Sequence, residues 1–318
     1  MLRTVTRRLR RIMLMTLLCV AAQSLSAQSL PVVASFSVLA DMVREVGGPH
    51  VEVFSLVGPN ADSHVFDPTP ADAKRIASAK LVFVNGLGFE GWLDRLVKAS
   101  GYRGPIVVVS KGVSTPPERA DEHVSARAAT HKPVQHTHGA LDPHAWQNLA
   151  NAALYVQTIR DALIAAMPMH SAQLNQRATD YINRIQSLDQ ATKVRIAAVA
   201  AERRRVITSH DAFGYFAAAY GVTFYPLQGL ATASEPSAAE IVRIVDQIKK
   251  NKVSAIFTEN ISDPRVLERI AQDSGAKVGG RLYADALTEP GTAADTYLKM
   301  FERNVTTIVE GISVKAHE

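Results

Sequence analysis

Apolar residues recur along most of the chain at two spacings, one typical of strands and one typical of helices. Residues 51–57 alternate in a pattern that predicts a strand, and residues 37–46 carry apolar side chains at the spacing of a helix. Apolar runs bounded by turn residues predict further strands at 31–35, 81–85, 106–109, 205–208, 222–227, 255–258 and 277–283. Further helices are predicted at 70–79, 142–166, 213–220, 237–251, 264–274 and 292–311. This alternation predicts an α/β fold with mainly parallel sheets.

One segment without glycine or proline, residues 171–201, predicts a single long helix. At a rise of 1.5 Å per residue it would span on the order of 45 Å. The chain has 318 residues, more than one core usually supports, so two small lobes are expected. We therefore predict an N-terminal α/β lobe over 28–170 and a C-terminal α/β lobe over 202–318, joined by the long helix.

The first residues have the composition of an export signal. Five arginines precede an apolar run over about 12–22, which is too short to span a bilayer comfortably, and small residues follow up to Ala27. This order predicts a secretory signal peptide over 1–27, cleaved after Ala27, and a periplasmic protein. An N-terminal membrane anchor is the alternative. Lipidation at Cys19 is not expected, because Leu18 precedes it where a small residue is usual.

Charge and cysteine content narrow the possible ligands. The 35 Lys and Arg exceed the 30 Asp and Glu by five, and residues 1–27 hold five Arg and no acid, so the mature chain carries no net charge. The basic character thus belongs to the targeting segment, and no nucleic-acid partner is expected. The single cysteine, Cys19, is lost with the signal. A metal site in the mature protein must therefore use His, Asp, Glu or backbone oxygen.

Three histidines stand where an α/β fold gathers its ligands. His64 lies in the loop after a predicted strand, His210 directly follows another, and His144 begins a predicted helix. Ligands of open α/β sheets bind at the carboxyl ends of strands. Asp285 also follows a strand, and three imidazoles with one carboxylate would suit zinc, manganese or iron. From position alone, each histidine could instead be solvated and Asp285 could cap a turn.

Five ordered sequence blocks resemble one family of transport proteins. The blocks are VASFSVLAD at 33–41, LVGP at 56–59 with DSH at 62–64 and DPTPAD at 67–72, VNGLGFE at 84–90, DPHAW at 142–146, and TSHDAFGY at 208–215. Together they resemble the zinc/manganese substrate-binding proteins of ABC transporters, the cluster A-I or cluster 9 family. The resemblance covers essentially the whole mature chain.

The resemblance implies two lobes joined by one rigid helix, with a metal ion held between them. It implies His64, His144, His210 and Asp285 as the metal ligands. Manganese-type members often carry glutamate at the position of His210, so imidazole there favours Zn²⁺ by its softness, with Mn²⁺ as the alternative. Asn85 and Glu259 follow strands and are candidates to support the ligands indirectly.

Residues 115–141 break the α/β pattern and are predicted to form a flexible loop. The segment contains His123, His131, His136 and His138. Zinc-type members often carry a His-rich loop just before the Asp-Pro-His motif. An auxiliary metal-collecting role is one interpretation, and a solvated insertion is the other.

In this interpretation the protein is a monomeric carrier and not an enzyme. Its partners would be a divalent metal ion, a permease and the ATPase of that permease. A secreted zinc hydrolase is the first rival, but it would need an open coordination position, and no His-Glu-x-x-His element is found. An adhesin is the second rival, because that role is sometimes attributed to relatives.

Overall fold

The first half of the chain folds around a four-stranded parallel sheet. The computed structural model describes residues 29–114, 141–230, 232 and 237–313. The elements of this half are β1 (Leu30–Phe36), α1 (Ser37–Gly47), β2 (Val51–Val57), α2 (Pro70–Ser78), β3 (Leu81–Val84), α3 (Leu93–Ser100), β4 (Ile106–Val108) and α4 (Leu149–Ala166). The strand order is β2-β1-β3-β4, with every pair parallel.

One long helix, α5 (Ser171–Ala197), leads into the second half. Its buried face contacts α4, α1 and α6 (Gly214–Tyr220). Side chains about one or two turns apart form that face: Leu174, Ala178, Tyr181, Ile185 and Ile196. The helix ends four residues earlier than predicted, because a short turn separates it from a 3₁₀ turn at Ala201–Arg203.

The second half repeats the strand arrangement of the first. Its remaining elements are β5 (Arg205–Thr208), β6 (Thr223–Pro226), α7 (Ala238–Asn251), β7 (Ala255–Glu259), α8 (Arg265–Ser274), β8 (Val278–Leu282) and α9 (Tyr297–Ser313). The strand order is β6-β5-β7-β8, again parallel throughout. The prediction of an α/β fold with two lobes and mainly parallel sheets is therefore confirmed.

Glycine allows an aromatic ring to pack directly on β8. A Cβ on Gly279 would lie 2.4 Å from the ring of Phe257, which is fully buried. The pairing of β7 with β8 shifts register between Ile256 and Phe257, next to this contact. The glycine at 279 thus allows a close approach between strand and ring.

A continuous apolar core joins the two halves. It runs from β1 and α1 through α4 and α5 to Phe257 and the inner face of α9. A smaller core, which includes Ile207 and Ile270, fills the outer side of the second sheet. Because α9 packs on β8 and also on α5 and α1, the domain boundaries at 170 and 201 stay predictions. No helix among the described residues is both long and apolar enough to cross a membrane.

Two local predictions need correction. The helix predicted from 142 begins only at Leu149, because residues 142–144 are irregular and Ala145–Gln147 form a 3₁₀ turn. Helix α3 was not predicted, because its eight residues are largely polar and exposed, with only Leu96 buried. The predicted signal segment at 1–27 and residues 115–140 of the His-containing loop lie outside the described residues.

Candidate metal centre

Three histidines and one aspartate, distant in sequence, converge between the two sheets. His64 lies in the loop between β2 and α2, and His144 stands just before the 3₁₀ turn that leads to α4. His210 lies two residues after β5, and Asp285 three residues after β8. His64, His210 and Asp285 thus follow the carboxyl ends of parallel strands, where such folds gather ligands.

Their ligating atoms lie within 4.8 Å of one another. Asp285 Oδ2 is 3.1 Å from His64 Nε2 and 3.1 Å from His210 Nε2. His144 Nε2 is 3.4 Å from His64 Nε2 and 3.6 Å from Asp285 Oδ1. Each histidine brings its Nε2 atom to a common point, and the carboxylate of Asp285 faces all three imidazoles.

The spacing and burial of these atoms fit a four-coordinate transition metal. A tetrahedral ion with ligands at about 2.0–2.1 Å requires its ligand atoms to lie roughly 3.3–3.4 Å apart, and the four contacts bracket that value. The side chains of His144, His210 and Asp285 are fully buried, and that of His64 is 6% exposed. Asp285 Oδ1 is buried and has no hydrogen-bond partner among the described residues, so it is free to bind a cation.

An aspartate in the Asp-Pro-His motif orients His144. Asp142 Oδ1 accepts the backbone N–H of His144 at 2.9 Å and lies 2.8 Å from Nδ1 of the same residue. With its proton held at Nδ1, the ring presents Nε2 to the common point. The sequence analysis did not identify Asp142. The available signal was its position two residues before a histidine, where a side chain can bond its own backbone two residues on.

A buried glutamate at the end of β7 contacts His210 twice. Glu259 Oε1 accepts the backbone N–H of His210 at 3.1 Å, and Oε2 lies 2.6 Å from Nδ1. Burial alone would lower the pKa of His210, but the charges of Glu259 and Asp285 outweigh it and hold that pKa well above its ordinary value. The structure therefore places Glu259 directly behind one of the predicted ligands.

Two neighbouring histidines stabilise the ionised form of the Asp285 carboxylate. Burial alone would raise its pKa, but the facing His144 and His210 outweigh that effect and hold the pKa of Asp285 well below its ordinary value. The segment before Asp285 is fixed by Trp146 and Gln147, which both donate to the carbonyl of Ala284, at 2.9 and 2.8 Å. Trp146 is thus a buried packing residue with a polar end that helps to position the carboxylate.

Contacts from the second half hold the loop that carries His64. Asp62 Oδ1 accepts the backbone N–H of His64 at 2.8 Å, and Asp62 Oδ2 accepts the hydroxyl of Thr232. Asn60 donates its backbone N–H to Leu287 at 2.8 Å. The imidazole of His64 packs edge-on against Phe89 at 5.0 Å. The most exposed of the four candidate ligands is therefore also fixed by both halves of the protein.

Asn85 supports the backbone next to His144 and so acts on that imidazole indirectly. Its amide donates to the carbonyl of Pro143 at 2.9 Å, and its oxygen accepts the hydroxyl of Tyr155 at 2.6 Å. These bonds fix the backbone next to His144, and no hydrogen bond joins Asn85 to an imidazole among the described residues. The auxiliary candidates His123, His131, His136 and His138 lie outside the described residues.

Sequence comparison relates the chain to metal-uptake proteins along almost its full length. The family described as "Zinc-uptake complex component A periplasmic" matches residues 32–311. The manganese ABC transporter substrate-binding lipoprotein PsaA of Streptococcus anginosus is 29% identical and covers 91% of both chains. The manganese-binding lipoprotein MntA of Halalkalibacterium halodurans is 30% identical over 90% of this chain and 89% of its own. The iron-binding protein YfeA of Yersinia pestis is 29% identical over 90% and 87%.

Solved structures show the same relation. The periplasmic zinc-binding protein TroA from Treponema pallidum superposes with a TM-score of 0.79 at 29% identity, covering 89% of this chain and 99% of that one. A manganese-bound periplasmic metal-binding protein from Candidatus Liberibacter asiaticus gives 0.76 at 28% identity, over 90% and 100%. A cadmium-bound form of the latter protein gives 0.75 at 28% identity, over 90% and 100%.

Proposed function

The chain belongs to the family of periplasmic zinc-uptake components, and from this membership we propose that it captures a divalent transition metal and delivers it to an ABC transporter. The convergence of His64, His144, His210 and Asp285 between the two sheets carries the proposal. The metal is cargo, held by imidazole Nε2 atoms and a carboxylate and released intact. The partners are the membrane permease and its ATPase, and the site of action is the periplasm after removal of the signal peptide.

Zinc is the preferred cargo in this proposal. Three imidazoles and one carboxylate form a borderline-soft set of four ligands, which suits zinc better than manganese. Four contacts among these side chains, at 3.1–3.6 Å, lie near the separation that a tetrahedral zinc ion requires of its ligand atoms. Relatives of this chain are named for manganese and for iron, so manganese or iron is the alternative cargo of the same site.

The same geometry supports a carrier and not a hydrolase. Catalytic zinc sites keep one position open for water, whereas four protein groups here converge on one point. The carboxylates nearest to the ligands, Asp142 and Glu259, already contact the Nδ1 atoms of His144 and His210. Each supports a ligand in place of acting as a general base on bound water.

Native mass spectrometry under metal competition tests the proposal. Purified chain, stripped of metal and offered equal zinc and manganese, is expected to bind one zinc ion. Asp285→Asn should lose most of this binding, because the carboxylate faces all three imidazoles. The matched control Asp263→Asn removes an exposed aspartate of the same half, which pairs with Arg265, and should leave binding unchanged.

Three outcomes would contradict parts of the proposal. Predominant manganese loading under equal competition would overturn the choice of zinc while leaving the site intact. Equal metal binding by Asp285→Asn and by the control would refute the ligand set. Turnover of candidate esters or peptides that disappears in His210→Ala would refute the carrier role.

A further inference from the structure

Two histidines and an arginine form a basic cluster at the end of the first half that lies away from the metal centre. The imidazoles of His50 and His170 are stacked, with ring centroids 4.0 Å apart and planes at 24°. The guanidinium of Arg177 covers the backbone of Gly48, where a Cβ would lie 2.6 Å from its Nε. The three side chains come from two 3₁₀ turns and α5, so the fold itself brings them together.

The long helix adds positive potential to this cluster. His170 is the N-cap residue of α5, and its side chain caps none of the free N–H groups there. The first turn of α5 contains no acidic residue. The start of a helix carries a partial positive charge and unpaired N–H groups, which favour an anion.

Among the described residues, nothing neutralises the three side chains. No carboxylate forms an ion pair with His50, His170 or Arg177, although six other cations of the described residues do pair with an acid of their own helix or of a neighbouring segment: Arg160, Arg184, Lys193, Arg265, Arg269 and Lys299. Arg177 Nε is buried and has no hydrogen-bond acceptor within the described part of the chain. Burial, and then repulsion from His170 and Arg177, lowers the pKa of His50. The cluster thus lacks an acceptor that carries negative charge.

We propose that His50, His170 and Arg177, together with the start of α5, bind a phosphate-type oxyanion, either free phosphate or the headgroup of an anionic phospholipid. A guanidinium without an acid partner offers the donors that phosphate oxygens satisfy best. Two stacked imidazoles could also suggest a second metal site, but the adjacent guanidinium would repel a cation. The anion therefore fits this cluster and the metal does not.

The position of the cluster makes it independent of the metal centre. His50 directly precedes β2, so it lies at the amino ends of the parallel strands, whereas His64 follows the carboxyl end of β2. Leu30, near the start of the described chain, pairs with Val51, the neighbour of His50. The cluster therefore lies at the amino-end edge of the first sheet, opposite the edge at which the candidate metal ligands gather.

Histidine-selective NMR of the zinc-loaded full chain tests the site. Titration with inorganic phosphate is expected to shift the ring signals of His50 and His170 in a saturable manner, with the signals assigned from single His→Gln variants. Arg177→Gln should raise the phosphate Kd about tenfold, the effect of losing one charge-assisted hydrogen bond. Arg184→Gln on the same helix removes the same charge and should change the Kd less than about twofold, because its partner is Glu45.

A second arm distinguishes the two sources of the anion. Vesicles of phosphatidylcholine with phosphatidylglycerol, and vesicles of phosphatidylcholine alone, are offered to the wild type and to both variants. Binding that requires phosphatidylglycerol and is lost only in Arg177→Gln assigns a lipid headgroup, and saturable shifts with phosphate alone assign the free anion. Absence of both responses, or equal responses in the two variants, would overturn the proposal. Retained zinc binding in that case would leave the proposed cargo function standing.

Discussion

Replacing Glu259 by glutamine should weaken metal binding without disturbing the four ligands themselves. Glu259 lies behind His210, with its side chain fully buried. Both of its oxygens contact that residue: Oε1 accepts the backbone N–H, and Oε2 lies 2.6 Å from Nδ1 as an ion pair. A glutamine has only one oxygen. Whichever way its amide turns, one N–H of His210 then faces an NH₂ group, and the negative charge behind the imidazole is lost.

The expected loss is tenfold to a hundredfold in metal affinity. Removing a carboxylate behind a metal-bound imidazole has an effect of this size, equal to about 1.4–2.7 kcal/mol. We expect the upper part of this range, since Glu259→Gln removes a charge and also sets two donors against each other in a fully buried site. The control Glu268→Gln removes an exposed acid from the first turn of α8 and should leave affinity within about twofold.

The pH dependence separates an electrostatic role of Glu259 from a merely structural one. Glu259 is the largest influence that raises the pKa of His210, so its removal should lower that pKa. Zinc must displace a proton from Nε2, and the proton therefore competes up to a higher pH in the wild type than in Glu259→Gln. The wild-type advantage in affinity should consequently grow as pH rises from about 6 to about 8.

Competition titration with a fluorescent zinc chelator measures both quantities. Affinities of the wild type, Glu259→Gln and Glu268→Gln are compared across this pH range. An affinity of Glu259→Gln equal to that of the control at every pH would refute the reasoning. A deficit that does not change with pH would show that the glutamate acts only by packing.

Three further outcomes follow from particular contacts. Gly214→Ala should weaken zinc binding several-fold in the same titration, since its Cβ would lie 2.5 Å from Asp142 Oδ2 and displace the carboxylate that orients His144, whereas Gly91→Ala meets no atom and should have no effect. Burial raises the pKa of Asp41 to about 6, so the folded protein keeps a proton that the unfolded chain releases near pH 4, and stability falls as pH rises through 6. Asp41→Asn, which still accepts the N–H of Tyr297, should therefore be more stable by about 2–3 kcal/mol near pH 8 and no more stable near pH 4, and parallel melting curves at the two pH values would contradict this. Zinc at about a thousandfold excess over its Kd should stabilise the wild type by about 4 kcal/mol and raise its melting temperature by about 7 °C, and an equal shift in Asp285→Asn would contradict the ligand set.

The sequence predicted most elements of this fold because most of them bury continuous apolar faces. The bounds of β2 match the prediction, and α2 begins at the predicted residue 70, where Thr69 and Asp72 form a full capping box. Helix α3 escaped prediction because little of it is buried. The start of α4 was placed too early because the residues that precede it serve the site, not the helix.

Some residues of the candidate centre could be predicted from their positions in the sequence, whereas others could be recognised only in the folded structure. Strand ends pointed to His64, His210 and Asp285, a predicted helix start pointed to His144, and the family resemblance implied all four as ligands. The carboxylates that support the ligands are harder to predict, because their role depends on the orientation of the imidazole rings. Glu259 was a candidate since it ends a strand, whereas Asp142 contacts its histidine only through the irregular backbone of the Asp-Pro-His segment.

The matching strand orders of the two halves have a consequence for the origin of the protein. In each half the first strand lies between the second and the third, and the fourth forms the far edge. A single half already possesses the crevice between its first and third strands at which such sheets accept ligands. Duplication of one ancestral half would thus have placed two such crevices opposite each other. A binding site open on one side would then have become a site enclosed by both halves. The two halves contribute unequally to the site, since the first supplies two imidazoles and the second supplies one imidazole with the carboxylate.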